Sequence, residues 1–312
     1  MLVFVVFLCF LGFGFDAFFM GGGAYPFPIG SLLALGVGGA SALSSYYAGD
    51  RAVLLSSGAI PLAEAGPAAS DEDKLKYRQL ENVVDEMSIA AGLPRPKIFI
   101  VPDPDPNAFA TGRDPEHASI AVTKGLLDVV DRDELQGVVA HELSHVRNLD
   151  IRLMMVIAAM VGAAALISDW ARRGMRMGIG GGERRGRDRE KGGGGIVLLV
   201  IFAIWLVAVV LAPIIGQALA MMVSRRRESL ADASGAELTR NPLALASALD
   251  KIDKAEAPTA AIKRGTANLC IADPLGRAVG MGEGTWANLF ASHPPMAARI
   301  AALREMAFQA KS

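Results

Sequence analysis

Asp131-Arg132-Asp133-Glu134-Leu135-Gln136-Gly137-Val138-Val139-Ala140-His141-Glu142-Leu143-Ser144-His145 is the stretch on which the fold and the chemistry turn. Leu135, Val138, Val139 and Leu143 recur at helical spacing, and Asp131 or Asp133 can cap the start. At 3.6 residues per turn, His141 and His145 fall four apart on one helix face. Two imidazoles so placed can hold one Zn²⁺, each through a nitrogen at about 2.0–2.1 Å. Glu142 then points to the side where an attacking water would lie, the arrangement of H-E-x-x-H metalloproteases. Zinc lowers the pKa of such a water towards roughly 7. The chain has four histidines and two of them make this pair, so little else competes for the metal.

A catalytic zinc needs a third protein ligand and one open position. Glu228 is the choice, at the head of Glu228-Ser229-Leu230-Ala231-Asp232 on a helix read over 221–238. Asp232 lies four residues on, on the same face, suited to accept a hydrogen bond from a zinc-binding histidine. The competing use of Glu228 is as a solvated partner for Arg225, Arg226 and Arg227, and spacing alone does not separate the two.

Upstream of the metal helix, Leu75, Leu80, Val83, Val84 and Met87 predict a soluble helix begun at Ser70 and Asp73 and stopped by Gly92 and Pro94. Residues 97–101 and 119–123 read as two strands, with an Asp/Pro loop after the first. Residues 52–69 read as a connector, 241–288 as mixed, and 294–310 as a terminal helix. The Gly/Arg-rich stretch 172–195 reads as a flexible loop.

A mean hydropathy of +0.35 with 52% hydrophobic residues exceeds what one water-soluble core needs. Four apolar runs are candidates for the bilayer, at 1–20, 28–48, 151–167 and 196–220. The first lacks a basic start and a cleavage site and reads as a retained anchor. The second is rich in small residues that let helices approach closely. The fourth has the roughly 20 residues a span needs; the run at 151–167 is short enough to be a buried or interfacial helix instead. A formal net charge of −1 recruits no nucleic acid. Cys9 and Cys270 lie far apart, which argues against a disulfide framework.

The expected fold class is mainly α with a small β-sheet, joining up to four transmembrane helices to a zincin-like metalloprotease domain. Its organisation is an apolar hairpin at 1–50, catalytic parts at 51–150 and 221–312, and two membrane or interfacial helices at 151–220. With both hairpins spanning, the catalytic domain faces the cytoplasm of a multi-pass protein of the cell membrane, as Arg51, Lys74, Lys76 and Arg225 to Arg227 suggest. The loop at 172–191 opposes this with eight Arg/Lys against three Asp/Glu, and its charges suit anionic headgroups.

The zinc motif resembles that of the HtpX family of membrane-bound zinc metalloproteases, relatives of the CaaX prenyl proteases. So do Asn107-Ala108-Phe109-Ala110-Thr111-Gly112, Arg227-Glu228 with Ala231-Asp232-Ala233, and Ser292-His293-Pro294-Pro295 followed by Arg299-Ile300. The resemblance covers most of the chain. It implies one zinc per chain on His141, His145 and Glu228, with Glu142 as catalytic base. It further implies that Asn107, Ala108 and Phe109 line the cleft, where an extended substrate adds to an edge strand. His293 and Arg299 resemble donors to the oxyanion of the tetrahedral intermediate. The alternatives are a helix cap for His293 and an acid partner for Arg299. His117, in a polar loop, reads as a surface residue. Where the family often has glycine this chain has Leu149, which alters how the metal helix ends. The implied activity is hydrolysis of internal peptide bonds in membrane proteins, in quality control. Alternatives are a processing protease for lipid-modified or signal-derived peptides and a non-catalytic zinc-stabilised scaffold.

Overall fold

The structure is a computed structural model that describes residues 12, 13, 16, 29–153, 225–255, 270–272 and 294–309. Two compact units divide the chain, one from residues 1–45 and 156–219, the other from 46–155 and 220–312.

Helix α1, Ile29–Ser56, covers the second apolar run and continues past Asp50 and Arg51, where the hairpin was expected to end. Among the described residues no helix is long and apolar enough to cross a membrane. The runs at 1–20 (apart from Gly12, Phe13 and Asp16), 151–167 (apart from 151–153) and 196–220 lie outside the described residues, as does the loop at 172–195.

The connector expected at 52–69 is more ordered than that. It holds the end of α1, strand β1, Ile60–Pro61, and the short helix α2, Leu62–Ala68. Helix α3, Asp71–Ala91, is capped as its sequence predicts. Ser70 accepts from the Asp73 amide, and Gly92 closes the helix at φ +67°, a conformation glycine adopts without a Cβ penalty. It buries Leu80, Val83, Val84 and Met87.

Among the described residues four strands follow one another in the sheet as β1, β2, β4 and β3. β2, Lys97–Val101, and β4, Ser119–Thr123, were both expected, and they pair in parallel with Lys97 opposite Ser119. β3, Ala108–Thr111, runs antiparallel along the far side of β4, in a stretch that propensity left irregular. Every residue of β3 and β4 is buried, so neither shows the alternation that marks a half-exposed strand.

Helix α4, Lys124–Val129, leads into the metal helix α5, Arg132–Arg147. Asp131 is the cap of α5, in a full capping box with Glu134. Glu134 also accepts from Ser247 at 2.7 Å and Lys251 at 2.6 Å, tying α5 to helix α7, Pro242–Asp253. Residues 225–239 form helix α6. Helix α8, Met296–Gln309, closes the chain as the sequence predicts. Leu135, Val138, Val139 and Leu143 of α5 join Leu245, Leu249, Ile252, Ile300 and Leu303 in one core. This packing sets α7 against both α5 and α8.

α5 ends in a strained turn. Leu149 takes φ +57°, a left-handed conformation that costs a non-glycine residue roughly 1–2 kcal/mol. Its side chain is 40% exposed, so only the contacts of its covered part are lost on removing it. Leu149→Gly is expected to raise stability by at most about 1 kcal/mol, the relieved strain being offset in part by those contacts and by the entropy that glycine adds to the unfolded chain. A urea midpoint that falls in the variant would show the leucine contacts to outweigh the strain.

Candidate active site

The site is built where α5 and α6 touch. A Cβ on Gly235 would stand 3.0 Å from the His141 amide nitrogen and 3.2 Å from its Cα. Glu228, Asp232 and Gly235 are spaced four and three apart, so one face of α6 carries both carboxylates and the bare backbone that lets them reach α5. His141 is fully buried, and Glu228 and Asp232 are 5% and 4% exposed.

One ligand atom from each of His141, His145 and Glu228 lies within 4.8 Å of the others. Nε2 of His145 is 3.3 Å from Nε2 of His141. The Glu228 carboxylate lies 3.6 Å from Nε2 of His141 and 3.5 Å from Nε2 of His145. The other ring nitrogens are held by acids. Nδ1 of His141 lies 2.9 Å from Asp232, and Nδ1 of His145 donates to Asp150 at 2.9 Å. A carboxylate at Nδ1 sets the proton there and turns the Nε2 lone pair towards the common centre.

Each of these acids is held by an arginine. Arg299 donates to Asp232 through Nε at 2.8 Å and Nη2 at 2.7 Å, a two-pronged pairing. Its Nη1 donates to the Ile271 carbonyl at 2.7 Å and lies 3.2 Å from Glu228. Arg227 pairs with Asp150. Burial alone would raise the Asp232 pKa, but the Arg299 guanidinium overrides it and, with His141, holds the carboxyl at about 2.

Glu142 is 1% exposed, and neither of its oxygens accepts a hydrogen bond of ordinary length among the described residues. Burial pushes its pKa up, opposed by the two imidazoles and the nearby Ala110 amide. A buried acid with raised proton affinity, beside two converging imidazoles, is suited to exchange a proton with a small molecule.

Asn107, Ala108 and Phe109 lie on and just before β3 and are buried. The Asn107 side chain donates to the Ala272 carbonyl at 3.2 Å and accepts from the Ala108 amide at 3.0 Å. The Ile271 amide donates to the Ala108 carbonyl at 2.9 Å, and Phe109 bridges Cys270 antiparallel. The outer side of β3 is therefore paired at Ala108 and Phe109 by the chain's own residues 270–272. His293 lies outside the described residues. His117 is half-exposed and bonds Asp114, the surface role expected of it. Cys270 is buried; Cys9 lies outside the described residues.

The sequence pattern of "Peptidase family M48" matches residues 74–307. The chain belongs to peptidase family M48. A "Protease HtpX homolog" of Caldanaerobacter subterraneus subsp. tengcongensis is 42% identical over 262 residues, 84% of this chain and 80% of that protein. Another, from Dictyoglomus thermophilum, is 46% identical over 233 residues, 75% of this chain and 71% of its own length. The crystal structure of S. mikatae Ste24p shares the fold, with a TM-score of 0.53 at 18% identity, over 95% of this chain and 62% of that one. This M48 chain is thus a metalloprotease of the HtpX kind, and neither a processing protease nor a non-catalytic scaffold is favoured.

The residues present fit a divalent metal. The donor set is two imidazoles and a carboxylate, with Nε2 atoms aimed inwards by Asp232 and Asp150. Gly235→Ala tests the approach of α6. A Cβ would need the His141 backbone to give by a few tenths of an ångström. Alanine gains about 1 kcal/mol in helix propensity, offsetting that clash in stability. The expected outcome is a melting temperature close to wild type with weakened metal binding, measured by chelator competition. Unchanged affinity would mean that the two helices have slack.

Proposed function

We propose that this M48 protease is a membrane-anchored zinc endopeptidase that cleaves membrane proteins in quality control, with its catalytic unit on the cytoplasmic side. The observation that supports it most is the convergence of His141, His145 and Glu228 ligand atoms within 4.8 Å, beside a Glu142 carboxylate that accepts no ordinary hydrogen bond among the described residues. The apolar runs at 1–20 and 196–220 support the membrane anchor.

His141, His145 and Glu228 would hold one zinc ion, which when bound supplies a Lewis acid for the water and the scissile carbonyl. Glu142 takes a proton from the attacking water and returns it to the leaving amine. Asp232 and Arg299 hold His141 and Glu228 in place. Arg299 is assigned to positioning because its guanidinium is engaged by Asp232, Glu228 and the Ile271 carbonyl. The oxyanion role implied by resemblance is kept for His293. With the outer side of β3 paired at Ala108 and Phe109, an extended substrate is read by main-chain bonds towards Ala110, beside Glu142.

The test is casein cleavage by detergent-solubilised full-length protein, with metal analysis. Activity should vanish with a chelator, return with zinc, and track one zinc per chain. Glu228→Ala should lose most of that metal. Cleavage that persists after the metal is gone, or full metal content in Glu228→Ala, refutes the assignment.

A further inference from the structure

We propose that Asp150, locked by Arg227, is the positioning residue of His145, so that each metal-binding imidazole has its own arginine–aspartate brace. The inference rests on the zinc site described above and extends it to two residues that neither the motif nor the resemblance singled out in this role.

The geometry of the two braces is parallel. On one side Asp232 meets Nδ1 of His141 at 2.9 Å and is gripped by Arg299. On the other, Asp150 accepts from Nδ1 of His145 at 2.9 Å and is paired with Arg227. The Asp150 side chain is 4% exposed, so its carboxylate is enclosed together with the groups that meet it. Arg227 supplies the cation and His145 the donor. Together they keep the proton on Nδ1 and the lone pair on Nε2.

Local structure explains why these residues meet. Asp150 follows the end of α5, and a helix continued without a break would carry it away from His145, five residues back and well off its face. The left-handed turn at Leu149 redirects the chain, and the strain there is the cost of bringing the carboxylate to the ring. Arg227 immediately precedes Glu228 on α6. One turn of helix thus supplies both the third ligand and the lock on the second histidine's brace. Through Asp150, the position of α6 is tied to the orientation of His145.

The alternative is an ion pair that merely ties α6 to the end of α5. A double-mutant cycle on full-length protein separates the two. Asp150→Asn keeps shape and removes charge. Arg227→Gln removes the lock. Zinc affinity is read by chelator competition on protein shown to be folded by circular dichroism, with the cobalt(II) absorption spectrum as a second readout. Asp150→Asn is expected to weaken zinc binding roughly 10–100-fold and to alter the cobalt spectrum. Arg227→Gln should give a smaller loss in the same direction, and the double variant should be no worse than Asp150→Asn alone, because the lock acts through the brace. Zinc affinity within about twofold of wild type in Asp150→Asn, with an unaltered cobalt spectrum, overturns the inference while leaving the zinc site standing. Losses that add independently also overturn it. Wild-type protein that takes up no zinc refutes the zinc site itself, and the inference with it.

Discussion

Glu142→Gln is expected to leave metal content unchanged and to lower kcat for peptide hydrolysis by roughly 10²–10⁴-fold, the range for losing a general base. The side chain is buried and accepts no ordinary hydrogen bond among the described residues, so the amide fits without breaking a described bond. The ligand trio does not include it, so the metal should stay. What disappears is the ability to accept a proton, which glutamine lacks at any accessible pH. Since burial raises the Glu142 pKa, removing its charge is not expected to lower the stability of the metal-free protein. A variant that keeps its metal and cuts casein at the wild-type rate would remove Glu142 from the mechanism.

The second large effect falls on stability. Arg299 is 3% exposed and faces Asp232, Glu228 and a backbone carbonyl at once. Arg299→Leu leaves those carboxylates buried without their guanidinium, a change that costs about 3–5 kcal/mol when one partner of a buried pair is removed. Metal-free protein should show the loss in urea unfolding, and metal-loaded protein should show less of it, because a bound cation also neutralises Glu228. Arg299→Lys keeps the charge but loses the fork to both Asp232 oxygens, and should fall between. The pH dependence has a definite sign. Asp232 is held at about 2 against an ordinary 3.8, so its contribution is present above about pH 4 and fades as pH falls towards 2. That acid-side loss should shrink in Arg299→Leu. A cost below about 1 kcal/mol would mean that Arg299 is not what keeps Asp232 ionised.

Much of the catalytic unit is legible in the chain because its signals are local. The capping box at Asp131, the spacing of His141 and His145, the Gly92 stop and the strands at 97–101 and 119–123 each depend on residues a few positions apart. Strand β3 was not legible as a strand from its propensity, since it is short and wholly buried. Nor was Pro242–Asp253, in a stretch that read as mixed. Resemblance pointed to Asn107–Phe109 as cleft residues, but only the fold shows residues 270–272 pairing beside them.

From the sequence came the helix that carries two histidines one turn apart, the glutamate between them, and Glu228 and Asp232 four apart on a distant helix, with the resemblance deciding for Glu228 as ligand. Those are matters of periodicity, residue type and motif, which the chain carries wherever it folds. The tertiary structure decided which charges meet: Arg299 on Asp232 and Glu228, and Arg227 on Asp150. Such pairings span up to 77 residues of sequence, from Asp150 to Arg227. They depend on a bare backbone at Gly235 and a left-handed turn at Leu149, so no local pattern can announce them.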